Sequence, residues 1–469
     1  MPPPPASSVV SRLHQALRTI NSTAPRIIAS PVQAGGGPIK RASVAIIIRL
    51  RPEHPPPGST VSSATSPTTS PSHPTLPLHP SPPSSPSPPS YAPSSATSAS
   101  ASSTGTSVLS QLDEFFAQPW VQDPKTGVEI LYIKRATRGT DRWSGHMAFP
   151  GGRTEPDDES AEFTALRETW EEVAIDLADK DWISIGQLDD REITTSLGKR
   201  LLMILSPFIF LHTSPYAPMP ELQESEVASA YWIPLELLHP PGAKYGSVEI
   251  DIATRLAPRN KTARGLLQLL MGKMDFRCIL LPNDPVATGA PVPSGTTLPD
   301  IRLWGLTLGM TLDVLSHMNL AAASPDLSTY PYGVSSRPPS FTSSHIAGSK
   351  SAPLIPTSFA EASIFPRFSH PDINLLIYLF SFRYRRLLRH PGKLREASSA
   401  AAGGGAGGGK KSPSYGRVNW AGMEATLFYA SVRKALVVAV LLRATALLGG
   451  LGTLVWWFRS RWAGGVKKR

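Results

Sequence analysis

Three glutamates stand close together in residues 167–172 (RETWEE), a segment whose sequence favours a helix. At the i, i+3 and i+4 spacing, Glu168, Glu171 and Glu172 share one helix face. Three bare carboxylates there repel each other, whereas Mg2+ or Mn2+ prefers several carboxylate oxygens and brings phosphate oxygens into the same shell. Arg167 can pair with Glu171 or hold a neighbouring carboxylate. The pattern predicts a metal site for phosphate chemistry; a solvated acidic face is the alternative.

The elements around these glutamates are expected to place them beside a sheet. The helix is expected to run from about Ser160 to Val173, and the side of it that packs on the sheet is expected to carry the apolar residues Phe163, Leu166, Trp170 and Val173. The preceding loop, residues 149–153 (FPGGR), contains two glycines that let the backbone turn sharply beside a metal. Apolar runs predict strands at 42–51, 129–134, 183–188, 201–211 and 275–281, and a further helix at 306–318.

The charge of the chain is divided between its regions. Residues 1–112 carry a net charge of +6, residues 113–372 a net charge of −10, and residues 373–469 a net charge of +15. A basic protein usually raises the question of nucleic acid, but here the basic charge lies in the flanks, so no nucleic-acid partner is expected. An acidic middle suits a metal site, and a basic end beside apolar runs suits a membrane surface.

Two features of the first half of the chain leave alternatives. Residues 9–20 are amphipathic, with Arg12 and Arg18 and without acids, which is typical of a mitochondrial transit peptide; we favour the alternative, an N-terminal helix of the domain. Between Glu53 and Asp113 there is no charged residue, only a Ser- and Pro-rich stretch. Such a stretch cannot bury enough apolar surface to fold, so a disordered insertion between two strands is expected.

The one cysteine, Cys278, excludes an internal disulfide framework.

The glutamate segment resembles the Nudix box, G-x5-E-x7-R-E-U-x-E-E-x-G-U, in which U is aliphatic. Arg167, the three helix glutamates and Ile175 fall on matching positions. Three departures stand out: Gly152 and Glu159 are separated by six residues instead of five, Ala174 replaces the glycine, and Thr169 occupies an aliphatic position. The longer spacing makes Asp158 and Glu159 rival candidates for the first acid.

Within that superfamily the chain resembles the coenzyme A diphosphatase branch. The segments that carry the resemblance are 134–136 (KRA), 144–152 (SGHMAFPGG), 164–168 (TALRE), 231–235 (YWIPL) and 303–307 (LWGLT). The resemblance covers about residues 10–51 and 113–320. It implies a mixed sheet in an α/β/α sandwich and hydrolysis of coenzyme A or acyl-CoA to 3′,5′-ADP and (acyl-)phosphopantetheine. The alternatives are hydrolysis of another nucleoside diphosphate derivative, such as ADP-ribose or a dinucleotide, and a non-catalytic binding module at a membrane.

The resemblance also implies roles for particular residues. Mg2+ or Mn2+ is expected on Glu168, Glu171, Glu172 and Glu159. The catalytic set is Glu168, Glu171, Glu172 and Arg167, and the general base is Glu172, Glu171 or a loop residue such as Glu226. Substrate phosphates are expected at Arg135, Arg138, Arg142, Gly151 and Gly152, since guanidinium groups bind such oxygens bidentately; solvated loop arginines are the alternative. His146, Trp232, Trp304 and Cys278 are expected to be structural.

A membrane segment is predicted near the C-terminal end of the sequence. Ala435 to Phe458 is an apolar run of 24 residues, which as a helix covers about 36 Å, against about 30 Å for a hydrocarbon core. Arg443 opposes insertion, yet its side chain can snorkel toward the surface. A buried helix of a soluble bundle is the alternative. Residues 373–382 are too short to span and, with the arginines after them, predict an interfacial helix or a packed helix of the domain.

The expected organisation follows from these patterns. It comprises an N-terminal helix and first strand at 1–51, a disordered insertion at 52–112, a Nudix domain at 113–320, a linker at 321–362, an interfacial basic segment at 363–396, a Gly/Ala linker at 397–420 and a transmembrane helix at 433–460. An intracellular, membrane-anchored protein of the mitochondrion or peroxisome, acting on a small nucleotide diphosphate, is expected.

Overall fold

The computed structural model describes residues 9–28, 39–53, 107–137, 144–194, 201–257, 259–288, 299–318, 367–383 and 423–466. The predicted insertion lies outside these residues from 54 to 106, and the predicted linkers at 321–362 and 397–420 lie outside them altogether.

The helices and strands follow the predicted order with additional short elements. The helices are α1 (Val9–Ser22), α2 (Val108–Phe116), α3 (Pro119–Gln122), α4 (Ala161–Val173), α5 (Ile252–Leu256), α6 (Lys261–Met271), α7 (Gly305–His317), α8 (Pro371–Phe380) and α9 (Met423–Val466). The strands are β1 (Lys40–Arg51), β2 (Gly127–Arg135), β3 (Met147–Ala148), β4 (Gly151–Arg153), β5 (Trp182–Gln187), β6 (Arg191–Thr194), β7 (Leu201–His212), β8 (Val227–Pro234), β9 (Lys244–Asp251), β10 (Lys273–Leu281), β11 (Ala287–Thr288), β12 (Ile301–Leu303) and β13 (Arg367–Phe368).

The main sheet is mixed. Its strand order is β11-β8-β2-β1-β7-β5, with β3 beside β2, β4 beside β1 and β6 beside β7. The pairing of β1 with β7 is parallel, and the other pairs are antiparallel. The central strand β1 therefore pairs on one side with β4, which leads to the glutamate helix, and on the other side with β7, which connects it to β5 and β6.

Both faces of the main sheet are covered by helices. Because successive side chains of a strand point to opposite faces, Ile46 and Ile48 of β1 join the core under α1 and α7, whereas Ala45 and Ile47 join the core under α4. Every one of these four side chains is fully buried. This arrangement is an α/β/α sandwich, and the predicted fold class is confirmed.

Helix α1 is part of the core. Leu13, Ala16, Leu17 and Ile20 are buried in the same cluster as the strands, and Asn21 donates a hydrogen bond to the carbonyl of Ile185 on β5. Cleavage of a transit peptide at this position would remove these side chains from the core. The packing therefore favours the domain-helix interpretation of the first residues.

A second, four-stranded antiparallel sheet lies beside the first. β10 pairs with β9, β12 and β13, and β13 comes from beyond the predicted linker at 321–362. Helix α8 follows β13 directly, and its buried Ile373 and Ile377 pack in one cluster with Val432 and Ala435 of α9. The first half of the C-terminal helix is thus packed on this subdomain, together with residues that were predicted as a separate interfacial segment.

Helix α4 has a well-defined start and an unusual end. The Ser160 side chain caps its N-terminus by accepting a hydrogen bond from the N–H of Phe163. Ala174 ends it in the left-handed conformation, with φ of 53°, and its N–H bonds to the carbonyl of Trp170. Ala174 occupies the position of the Nudix-box glycine, and the left-handed backbone at this position favours glycine. An alanine side chain there is strained.

The buried face of α4 differs from the predicted one. The buried side chains are Thr164, Ala165, Thr169, Glu172 and Val173, whereas Phe163, Leu166 and Trp170 are only half-buried. Thr169 can replace an aliphatic residue because its hydroxyl donates to the carbonyl of Ala165 at 2.7 Å and leaves no polar group unpaired. The helix is rotated so that one of its glutamates, not its tryptophan, faces the sheet.

Replacing Ala174 by glycine should stabilise the protein by about 0.5–1 kcal/mol, because the left-handed strain of an L-residue exceeds the entropy that glycine adds to the unfolded chain. Urea unfolding followed by tryptophan fluorescence measures the change. Ala178→Gly, at an exposed turn residue without positive φ, is the matched control and should destabilise slightly. An equal loss of stability in both variants would contradict this account of the helix end.

Candidate active site

Two glycines bring the sheet and the glutamate helix into contact. Gly151 has φ of 148°, and a Cβ atom there would lie 2.2 Å from the carbonyl oxygen of Ser43 on β1. A Cβ atom on Gly152 would lie 2.3 Å from the carboxylate of Glu168. No side chain fits at Gly151, because the backbone of β1 stands in the way, and a side chain at Gly152 would displace the Glu168 carboxylate.

Glu172 is buried between α4 and β4. Its Oε2 accepts a hydrogen bond of 2.8 Å from the N–H of Gly151, and its Oε1 lies 3.7 Å from Nη1 of Arg135. Burial raises the pKa of the Glu172 carboxyl to about 8; the Gly151 N–H and Arg135 lower it, and Glu168 and Glu226 raise it further. A carboxylate in this position needs positive charge to stay ionised.

Glu168 lies one turn earlier on the same face. Burial raises the pKa of the Glu168 carboxyl to about 7; Arg167 lowers it, and Glu171 and Glu226 raise it. Its side chain is 13% exposed, so the group is reachable from solvent. Glu168, Glu172 and Glu226 thus repel one another around a shared polar space beside the two glycines.

Glu226 enters the site from a loop before β8. Its backbone carbonyl accepts a hydrogen bond of 2.7 Å from the N–H of Ala136, at the end of β2. The same β2 end carries Arg135, whose N–H bonds to the carbonyl of His146. Strand β2 therefore places an arginine and a glutamate from separate parts of the chain next to the helix glutamates.

Arg167 joins the loop to the helix and is a positioning residue. Its guanidinium donates to both carboxylate oxygens of Asp158, at 2.9 and 3.0 Å, and to the carbonyl of Arg153 at 3.1 Å. It also donates to Glu171 at 3.0 Å and to Glu168 at 3.2 Å. Because all of these acceptors are protein groups, Arg167 acts on the site by holding the acids and the loop in place.

The structure distinguishes the two rival acids of the loop. Asp158 is buried, accepts the two bonds from Arg167, and also accepts hydrogen bonds from Thr164 and from the N–H of Glu155. Burial raises the pKa of Asp158, but the hydrogen bonds from Arg167, Glu155 and Thr164 outweigh it and leave the pKa lowered. Glu159 is exposed. The extra residue in the spacing thus makes Asp158 the structural acid, and Glu159 as a metal ligand stays a prediction.

The side chains of the site have the chemistry that a divalent cation needs, but they are not yet arranged around a single ion position. Carboxylate oxygens are the donors that Mg2+ and Mn2+ prefer. In the part of the chain that the structure describes, the opposite charges beside Glu172 and Glu168 are those of Arg135 and Arg167. Glu171 is the exception, since its half-exposed carboxylate bonds to Arg167. Within the described ranges, no three acidic or histidine side chains are already placed to hold one ion.

The remaining predicted residues divide into three groups. Arg138 and Arg142 lie outside the described residues, so their predicted phosphate contacts are untested. Trp232 is a core residue, with the guanidinium of Arg49 4.1 Å from its ring centre. Cys278 is buried, and burial raises its pKa to about 11, which makes the thiol unreactive.

An aromatic cluster beside the site was not predicted. Trp304 is half-buried, and its ring centre lies 5.0 Å from that of His146 and 5.7 Å from that of Phe276. His146 precedes the two-glycine loop, so the cluster adjoins the candidate site. No local pattern predicts it, because His146, Phe276 and Trp304 are far apart in the sequence and meet only in the folded chain.

The comparisons with known proteins agree with this geometry. A family model described as the NUDIX domain matches residues 119–250. An uncharacterized protein of Schizosaccharomyces pombe is 41% identical over 182 residues, which are 38% of this chain and 54% of that protein. The mitochondrial coenzyme A diphosphatase NUDT8 of Mus musculus is 39% identical over 67 residues, 14% of this chain and 32% of that protein. The chain spans about half, or less, of the length of these relatives.

Solved structures give two further comparisons. A NUDIX hydrolase from Alicyclobacillus acidocaldarius is 15% identical and covers 49% of this chain and 90% of its own, with a TM-score of 0.21. A MutT/nudix family protein from Enterococcus faecalis is 19% identical and covers 23% of this chain and 37% of its own, with a TM-score of 0.18.

Residues 119–250 match the Nudix domain, and β1, which precedes this segment, pairs with its strands β2 and β4. The predicted membership of the Nudix superfamily, with a resemblance to the coenzyme A diphosphatase branch, is confirmed.

Asp158→Asn should lower the free energy of unfolding at pH 7 by about 1–3 kcal/mol, since it breaks buried, charge-assisted hydrogen bonds to Arg167. Because the pKa of Asp158 is lowered in the folded protein, its contribution is full above the ordinary aspartate pKa of about 4 and is lost as pH falls below that value. Urea unfolding of wild type and variant from pH 7 to pH 3 should therefore show a shrinking difference.

Glu159→Gln is the matched control, one residue away and exposed. It should change stability by less than about 0.5 kcal/mol. If Glu159→Gln instead carried the larger, pH-dependent loss, Glu159 would be the structural acid and the assignment of Asp158 would be wrong.

Proposed function

We propose that the chain is a divalent-metal-dependent hydrolase of nucleotide-containing diphosphates, with coenzyme A or acyl-CoA as the substrate. The observation that carries the proposal is a pair of carboxylates, the buried Glu172 and the partly buried Glu168, held against the Gly151-Gly152 backbone. Burial raises the pKa of both carboxyl groups, so a bound cation would stabilise their ionised forms. The local similarity to a mitochondrial coenzyme A diphosphatase supports the choice of substrate.

In this mechanism the protein positions the carboxylate oxygens and the substrate diphosphate, and one glutamate accepts a proton from the attacking water. Mg2+ or Mn2+, held by Glu168, Glu171, Glu172 and Glu159, would neutralise the diphosphate and lower the pKa of the attacking water. The Gly151 N–H fixes the orientation of the Glu172 carboxylate. Arg167 keeps Glu168 and Glu171 in place and ties the loop to the helix. Of the three predicted phosphate-binding arginines, Arg135 lies within the described residues, and its partly exposed side chain beside Glu172 can contact a substrate phosphate.

The proton acceptor is one of three glutamates. Glu172 and Glu171 lie on the helix, and Glu226 faces the same polar space from the loop before β8. The leaving group from coenzyme A would be 3′,5′-ADP or phosphopantetheine, depending on which phosphorus the water attacks.

A membrane anchor is the second part of the proposal. Helix α9 contains one segment, Phe428–Ser460, that is long and apolar enough to cross a membrane. Its second half exposes large apolar side chains almost continuously: Leu447, Leu448, Leu451, Leu454, Val455, Trp456, Trp457 and Phe458. Trp456 and Trp457 followed by Arg459 suit a membrane–water interface. The similarity to a mitochondrial protein favours a mitochondrial membrane over a peroxisomal one.

The hydrolase proposal is tested with the purified full chain, Mg2+ or Mn2+, and a panel of coenzyme A, acyl-CoA, ADP-ribose, NADH and oxidised dNTPs. Coenzyme A or acyl-CoA should give the highest kcat/KM. The Glu171→Gln/Glu172→Gln variant should lose at least about a hundredfold in kcat, the usual size of a lost general base. Glu162→Gln is the control on the same helix, since that residue bonds to Ser184 of β5 instead.

A preference for ADP-ribose or a dinucleotide would overturn the substrate, and equal kcat in wild type and the double variant would overturn the mechanism. No hydrolysis of any compound, with folding intact, would favour the non-catalytic binding module.

The anchor proposal is tested by truncation after Thr445. Deleting residues 446–469 removes the exposed apolar segment and leaves the half of α9 that packs against α8. In cells, carbonate extraction should release the truncated chain to the supernatant and leave the full chain in the pellet. Retention of the truncated chain in the pellet would show that other residues suffice to hold the membrane.

A further inference from the structure

Two short helices outside α9 also expose large apolar side chains. Leu266 and Leu269 on α6, and Leu375 and Leu379 on α8, are each more than half exposed. We name these four residues the collar. Single exposed leucines are common on protein surfaces, but four of them on two helices that pack against the same helix indicate an interaction surface.

The collar adjoins the candidate membrane helix. The inner faces of its two helices pack on α9, where Leu270 and Ile377 lie in one buried cluster with Val432 and Ala439. Helix α8 runs antiparallel to α9, since Ser431 bonds to the carbonyl of Phe380 at one end and Arg443 bonds to Asp372 at the other. The outer faces of α6 and α8 therefore flank the first half of the membrane helix.

Arg443 is neutralised by the subdomain. Its Nη2 bonds to both carboxylate oxygens of Asp372, at 2.5 and 2.6 Å, and its Nη1 bonds to the carbonyl of Leu270 at 2.7 Å. The expected snorkelling is not needed, because a partner carboxylate and a helix C-terminus already satisfy the guanidinium. This arrangement removes much of the cost of placing an arginine among lipid chains.

The length of the helix argues that its packed half enters the lipid too. From Ala444 to Phe458 there are 15 residues, about 22 Å of helix, whereas a hydrocarbon core is about 30 Å thick. Starting at Ala435, the apolar run covers about 36 Å. A complete crossing thus requires residues 435–443, and α6 and α8 are packed against those residues.

Basic residues lie where the C-terminal end of α8 meets the first half of α9, at the end of the packed helices where lipid headgroups would lie. Arg383 follows α8 and is exposed, and Arg433 and Lys434 lie near the same end of α9. Arg433 and Lys434 line an apolar groove of about 720 Å³ together with Phe380, Val437 and Leu441. Cations at one end and aliphatic side chains below them match the headgroup and acyl chain of a phospholipid.

We propose that the collar enters the lipid layer together with α9, so that the second subdomain is seated in the bilayer instead of being tethered above it. The proposal rests on the membrane anchor proposed above and adds a lipid-contacting surface to it. Its occupant is the phospholipid bilayer, with headgroups at Arg383, Arg433 and Lys434.

Depth-dependent fluorescence quenching tests the proposal on the full chain. An NBD fluorophore is attached to single cysteines introduced as Leu266→Cys, Leu375→Cys, Leu448→Cys on the exposed half of α9, and Lys180→Cys on the Nudix domain. Wild type is the labelling blank, because Cys278 is buried. In phosphatidylcholine–phosphatidylserine vesicles, lipids brominated on their acyl chains should quench positions 266, 375 and 448 at least threefold more than position 180, and aqueous iodide should quench position 180 most.

The outcomes separate this inference from the anchor itself. Quenching of 448 by bromolipid, with 266 and 375 quenched by iodide, would overturn the inference and leave the anchor standing. Absence of quenching at 266 and 375 by either agent would mean that protein covers the collar, which also overturns it. If bromolipid fails to quench 448, the anchor proposal fails.

Discussion

The contact between the Gly151-Gly152 backbone and the glutamates of α4 sets the rest of the candidate site. Gly151 fits because its backbone conformation and the approach of Ser43 leave no room for a side chain, and its N–H then orients Glu172. Gly152 leaves space for the Glu168 carboxylate. Because the two carboxylates are confined there, burial raises their pKa values. Arg167 beside Glu168 and Arg135 beside Glu172 lower these pKa values again and so stabilise the ionised carboxylates.

Much of this site could be predicted from the sequence because it is local. The spacing of the three glutamates, the two glycines and Arg167 lies within 22 residues, where helix geometry decides which side chains share a face. Even so, the sheet-facing side of α4 was predicted only in part, since Leu166 and Val173 pack on the sheet as expected. Phe163 and Trp170 are the more hydrophobic residues, yet a buried glutamate faces the sheet, since the backbone N–H of Gly151 compensates its burial.

What the sequence could not show depends on long-range contacts. Glu226 and Arg135 meet the helix only because β2 pairs with β3 and β8. The choice between Asp158 and Glu159 required the position of Arg167, because pattern spacing allowed both. Likewise Arg443 finds Asp372, 71 residues away, and no local pattern announces that pair. The N-terminal helix is the converse case. Its amphipathic pattern fits a transit peptide as well as a core helix, and its packing supports the core helix that the sequence analysis favours.

The central claim is that Glu168 and Glu172 form the core of a divalent cation site. Electron paramagnetic resonance of Mn2+ titrated into the full chain measures it without any substrate. Wild type and Glu162→Gln should bind Mn2+ with the same affinity, and Glu168→Gln/Glu172→Gln should bind at least about tenfold more weakly. Unchanged Mn2+ affinity in the double variant, with its fold intact, would contradict the account.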